Sequence, residues 1–71
     1  MTYRHGQTVQ VKPDRPNGWK KKDWAIYAGT PVTISQIFEK IEGPKVYLVM
    51  MEEGPLKGES RWFKETELTT S

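Results

Sequence analysis

A chain of 71 residues with no cysteine is one small domain without disulfides or thiolate metal sites. A domain of this size buries only about 60% of the surface its unfolded chain exposes, so three Trp, three Tyr and two Phe are expected to supply much of the core. The net charge is +2 but uneven: Arg4 to Lys22 holds six basic residues against Asp14, whereas the chain from Phe38 onward holds five basic and seven acidic residues.

The opening MTYRHGQTVQV has no long apolar stretch, so no secretory leader is expected. Gln7 to Lys12 alternates polar and apolar, which predicts a half-buried strand with Val9 and Val11 inward. Pro13 stops it, because proline cannot donate to a ladder. Residues 13–30 predict a long loop punctuated by Pro16, Asn17-Gly18 and Gly29, with one short helical turn from Trp24 to Ala28 capped by Asp23.

Pro31 to Phe38 is a strand with Val32 and Ile34 on one face. Its alternation slips afterwards, which predicts a bulge near Ser35-Gln36. Glu42 to Lys45 is a turn. Val46 to Met51, apolar throughout, is expected to be the central and most buried strand. Gly54-Pro55 and Gly58 mark a further loop. Arg61 to Lys64 predicts a short strand with Phe63 inward and Trp62 outward, Lys64 to Glu67 a tight link, and Leu68-Thr69 a last strand. Residues 70–71 are expected to fray. Five short strands at such spacing, with no helix of three turns, predict an all-β domain curled into a closed barrel.

The opening Gly6-x-x-Val9-x-Val11, the segment Tyr27-x-Gly29-x-x-Val32-x-Ile34 and the ending Trp62-Phe63-x-Glu65-x-Glu67-Leu68 resemble the SH3-like barrels. The tail Trp62-Phe63-Lys64-Glu65-Thr66-Glu67-Leu68-Thr69 is most similar to that of small SH3-like proteins encoded by prophages of Gram-positive bacteria. The resemblance covers most of the chain. It implies a five-stranded SH3-like barrel over residues 1–71, with Gly29 at a tight approach and Phe63 and Leu68 in the core. Its motifs record barrel geometry, and they carry no catalytic residues over.

Catalysis finds little support in the residues. There is no cysteine nucleophile, and the lone His5 beside Gly6 reads as a solvated side chain. Glu52-Glu53 beside Gly54 reads as a hairpin tip rather than a carboxylate pair with a raised pKa. No metal site, cofactor or enzymatic activity is expected. The longest apolar run, Val46 to Met51, is too short to cross a bilayer, so a cytoplasmic monomer is expected.

Recognition remains. The segment Trp19-Lys20-Lys21-Lys22-Asp23-Trp24 places two indoles around three lysines. Trp24, next to Ala25, Ile26 and Tyr27, favours a place in the core. Trp19, between Gly18 and the lysines, is expected to be an exposed contact whose loss leaves the fold intact. The partner-binding set is Arg15, Trp19, Lys20, Lys21, Lys22, Trp24 and Trp62. Its first reading is a protein-interaction module, an adaptor or inhibitor of a host protein in keeping with the prophage resemblance. The alternative is binding of single-stranded nucleic acid, with Arg15 and Lys20 to Lys22 on phosphates and Trp19 on bases.

Overall fold

The computed structural model describes residues 3–39 and 41–70. The predicted fraying at position 71 therefore lies outside the described residues. Five antiparallel strands form one sheet: β1 (Thr8–Val11), β2 (Pro31–Phe38), β3 (Val46–Met51), β4 (Ser60–Lys64) and β5 (Leu68–Thr69). Their order is β4-β3-β2-β1-β5. The two outer strands, β4 and β5, are not paired to one another, so the sheet is open and the predicted closure is not formed by hydrogen bonds. A 3-10 turn at Glu65–Glu67 joins these two edges directly.

The strands follow from period-two patterning. Val9 and Val11 of β1, Val32 and Ile34 of β2, and Tyr47, Val49 and Met51 of β3 all point to one buried face. Phe63 of β4 and Leu68 of β5 reach the same core from opposite edges. The predicted bulge is present, as a register shift between Ile34 and Gln36 where β2 meets β3. A bulge bends its strand and raises the local twist. Here it leaves Val32 and Ile34 facing in before the shift, and Gln36 and Phe38 facing out after it.

One strand expectation changes: the central strand is β2, not β3. β3 carries the most buried side chains, Tyr47, Val49 and Met51 on its inner face, while Met50 stands 40% exposed on the outer side. An apolar run reads as doubly buried only when something covers both faces. Among the described residues, the elements packed most extensively on β3 are its sheet neighbours β2 and β4.

Residues 13–30 contain one helical turn, α1 (Lys21–Trp24), which begins before the expected start. Lys20 is the N-cap residue, with no side-chain cap, and Asp23 lies inside the turn. The carbonyls of Lys20 and Lys21 accept from the amides of Trp24 and Ala25. Gly29 then closes the segment with φ +72°, its N–H donating to the Val11 carbonyl at 2.9 Å. A Cβ placed on Gly29 would meet nothing within 4 Å, so its glycine serves the backbone angle rather than a close approach.

Tyr3 is held in place. It is buried, its hydroxyl donating to the Leu68 carbonyl at 3.1 Å and its ring meeting Tyr47 edge-on at 5.4 Å.

Candidate docking surfaces

Consecutive residues of β4 divide the candidate site in two. Phe63 is 2% exposed and Trp62 is 52% exposed, as the pleat of a strand requires. Phe63 faces the segment 13–30. Its ring lies 6.3 Å from Trp19, nearly parallel, 6.1 Å from Trp24 and 5.4 Å from Tyr27, the last two edge-on. Trp62 looks the other way, onto the outer face of the sheet.

Both loop tryptophans are therefore turned inward. Trp24 is 2% exposed, and its indole N–H donates to the Lys12 carbonyl at 3.1 Å. It is part of the core. Trp19, expected to be bare, is half-buried against the core. Its ring meets Trp24 at 4.9 Å and Tyr27 at 5.7 Å, both edge-on. Its indole N–H donates to Glu67 Oε2 at 2.9 Å. A domain this small has few large side chains with which to close its core, and packing an indole against three aromatic rings outweighs leaving it in water. The turn before it allows this: Gly18 takes φ +96°, and the Trp19 amide donates to the Pro16 carbonyl at 3.3 Å.

Glu67 is the residue that sequence reasoning missed. It is 8% exposed and both its oxygens are engaged, Oε2 by Trp19 and Oε1 by the Lys64 amide at 2.7 Å. The second bond is one half of a capping box, in which the third residue of a turn reaches back to the N-cap amide. The spacing Lys64-Glu65-Thr66-Glu67 was its available signal.

A second polar cluster lies at the Tyr3–Tyr47 contact. The Tyr47 hydroxyl accepts from the Tyr3 amide at 3.3 Å and donates to Glu65 Oε2 at 3.0 Å. Burial pushes the Tyr47 phenol up, helped by its bond to Glu65 and opposed by the Tyr3 amide. Burial does the same to Tyr3, with the Glu65 charge adding to it. The Tyr27 hydroxyl, then Glu59, hold the Arg61 guanidinium further above its already high range.

The cations of the loop remain available. Lys20, Lys21, Lys22 and Arg15 are all exposed. Among the described residues, ion pairs join Lys45 to Glu39 at 3.1 Å and Arg61 to Glu59 at 3.3 Å, and the loop cations take no part in them. The basic front of the chain is thus not neutralised through these pairs. Arg15 is pinned, one guanidinium N–H donating to the Trp19 carbonyl at 2.6 Å. Lys21 and Lys22, adjacent in a helical turn, project about 100° apart and do not make one row.

On the outer face, Trp62 stands opposite Leu48, and Leu48 opposite Gln36. Phe38 stands opposite Val46, and Met50 opposite Thr33 and Ser60. The face thereby collects Phe38, Val46, Leu48, Met50 and Trp62, with Phe38 57% exposed. Sequence reading singled out Trp62 alone, because the other members come from three strands and meet only through register. The predicted joint site of segment 15–24 with Trp62 is two separate surfaces.

No protein-family model, no curated protein and no solved structure matches this chain. Among the described residues, no helix is long and apolar enough to cross a membrane.

Proposed function

We propose that the chain is a non-enzymatic, SH3-like binding module that docks a protein partner on the outer face of β2–β3–β4, with Trp62 of the edge strand as its largest side chain. The observation that carries this is the half-exposed Trp62 indole opposite Leu48, on the sheet face it shares with Phe38, Val46 and Met50. Apolar surface left in water forgoes about 25 cal/mol per Å², so covering it stabilises a complex. Interface centres are rich in aromatic residues and methionine and poor in charge, as this face is. Only Lys64 contributes a charge from the outward positions of these three strands.

An SH3-like barrel is supported by the strand order and by the direct 3-10 link between the edges β4 and β5. Phe63 and Leu68, one from each edge, share one core. With the resemblance of the Trp62 to Thr69 tail to prophage-encoded proteins, the partner is a host cytoplasmic protein, bound by a monomeric adaptor or inhibitor.

The nucleic-acid alternative keeps its cations but loses its stacking platform. Single-strand binders lay bases on open aromatic faces. Trp19 and Trp24 turn theirs onto Tyr27, Phe63 and each other.

The test compares Trp62→Ser, Phe38→Ser and Lys21→Glu, each shown to be folded by circular dichroism. A host protein that co-purifies with the parent and with Lys21→Glu, and is lost from both outer-face variants, supports the proposal. A partner retained by Trp62→Ser overturns it. A parallel salt titration with single-stranded oligonucleotides separates the alternative, for which four phosphate contacts predict a log–log slope of about −3.

A further inference from the structure

A groove opens where Pro13 and Arg15 run past the helical turn α1. Arg15 and Lys21 form its rim, Ala25 and Ala28 line it with methyl groups, and the buried Trp24 closes its floor. It shares no residue with the outer face around Trp62, so the two surfaces stand independently.

We infer that this groove binds an acidic protein segment, with one apolar side chain seated on Ala25 and Ala28 and flanking carboxylates on Arg15 and Lys21. Three observations carry the inference. The first is charge: Arg15 and Lys21 face the groove, Lys20 and Lys22 stand exposed beside it, and none takes part in the ion pairs among the described residues. The second is preorganisation. One N–H of Arg15 is bound to the Trp19 carbonyl at 2.6 Å, which holds the planar guanidinium in place while its other donors stay open to a carboxylate. Fixing a long side chain beforehand removes much of the entropy cost of binding.

The third is what the groove lacks and what interrupts it. Its lining offers methyl groups and a pyrrolidine ring, with no open aromatic face for a base. Asp14 also lines it. A phosphate chain has no N–H groups along its backbone to offer that carboxylate. A polypeptide instead carries backbone N–H groups that Asp14 can accept, between the side chains that seek Arg15 and Lys21.

The experiment titrates ¹⁵N-labelled full chain with the end-blocked peptide Glu-Glu-Leu-Glu-Glu and follows amide shifts. Saturable shifts at Arg15, Lys21, Ala25 and Ala28 are expected, weaker with Glu-Glu-Gly-Glu-Glu and absent with Lys-Lys-Leu-Lys-Lys. Lys21→Glu is expected to weaken the peptide about tenfold while leaving the rest of the spectrum in place, and Arg15→Gln to act in the same direction. An equal response to the basic peptide, no saturable shift at these amides, or unchanged affinity in both variants would overturn the inference. So would tighter binding of an oligothymidylate of equal charge, which would assign the loop to nucleic acid.

Discussion

The indole N–H of Trp19 donates to Glu67 Oε2 across 2.9 Å, joining residues 48 positions apart in the chain. The same carboxylate receives the Lys64 amide on its other oxygen, so one buried side chain ties the segment 13–30 to the corner between β4 and β5. Glu67→Ala strands both donors. Hydrogen bonds to charged groups contribute about 1.5 to 3 kcal/mol, so a loss of about 3 kcal/mol in urea unfolding is expected. Glu67→Gln is expected to fall between, because its amide nitrogen cannot accept from a second N–H. A Gln variant as stable as the parent would remove the latch.

Trp19→Ala tests the same contact from the other side. A solvated Trp19 predicts a change within about 0.5 kcal/mol. Its half-buried position against Trp24, Tyr27 and Phe63 predicts a loss of about 2 to 3 kcal/mol, below the 3 to 5 typical of a fully buried aromatic. Thermal melts decide between the two, and an unchanged midpoint would return Trp19 to the surface.

Why the sequence misleads at Trp19 and not at Phe63 is a matter of range. The spans of β2, β3 and β5 and the bulge after Ile34 are written in local period and turn residues, and they are legible. Phe63 and Trp62 are likewise sorted by alternation within one strand. Trp19 is surrounded locally by Gly18 and lysines, which suggests water, but two of its partners, Phe63 and Glu67, come from β4 and from the turn before β5. Tyr3 is the same case, with partners 44 and 65 positions away. The outer face around Trp62 needed strand register, which a single sequence does not display.

Phe63 and Trp62 give the sharpest contrast in the molecule. Phe63→Ala removes the ring on which Trp19, Trp24 and Tyr27 converge, and about 3 to 5 kcal/mol is expected to go with it. Trp62→Ser, one residue earlier, is expected to change stability by about 0.5 kcal/mol or less. Chemical denaturation of the two variants checks both figures. Equal losses would mean that the indole packs as core and that the outer face is no docking surface.

Gly29 separates two reasons for a glycine. An added methyl group meets nothing within 4 Å, so steric crowding predicts no penalty for Gly29→Ala. The φ of +72° predicts about 1 to 2 kcal/mol, the cost of holding an L-residue in the left-handed region. Gly29→Asn is expected to cost less, since asparagine visits that region more readily. Urea midpoints that rank Ala and Asn the other way would refute the backbone explanation.

Alkaline pH is expected to open the molecule from the Tyr3–Tyr47 contact. Both phenols are pushed up chiefly by burial, with Glu65 acting in the same direction. An unfolded tyrosine ionises near pH ~10, so the unfolded chain releases these protons first. Stability is therefore intact below about pH 10 and is lost as pH rises through the raised values of the folded state. The Lys45–Glu39 pair pushes the same way, because its hydrogen bond raises the lysine. Tyr47→Phe isolates the phenol. It gives up the bonds to the Tyr3 amide and to Glu65, at about 1 to 2 kcal/mol near neutrality, and it flattens the alkaline fall. Urea midpoints followed across the tyrosinate absorbance transition measure both effects. An alkaline profile equally steep in Tyr47→Phe would show that the buried phenol does not govern it.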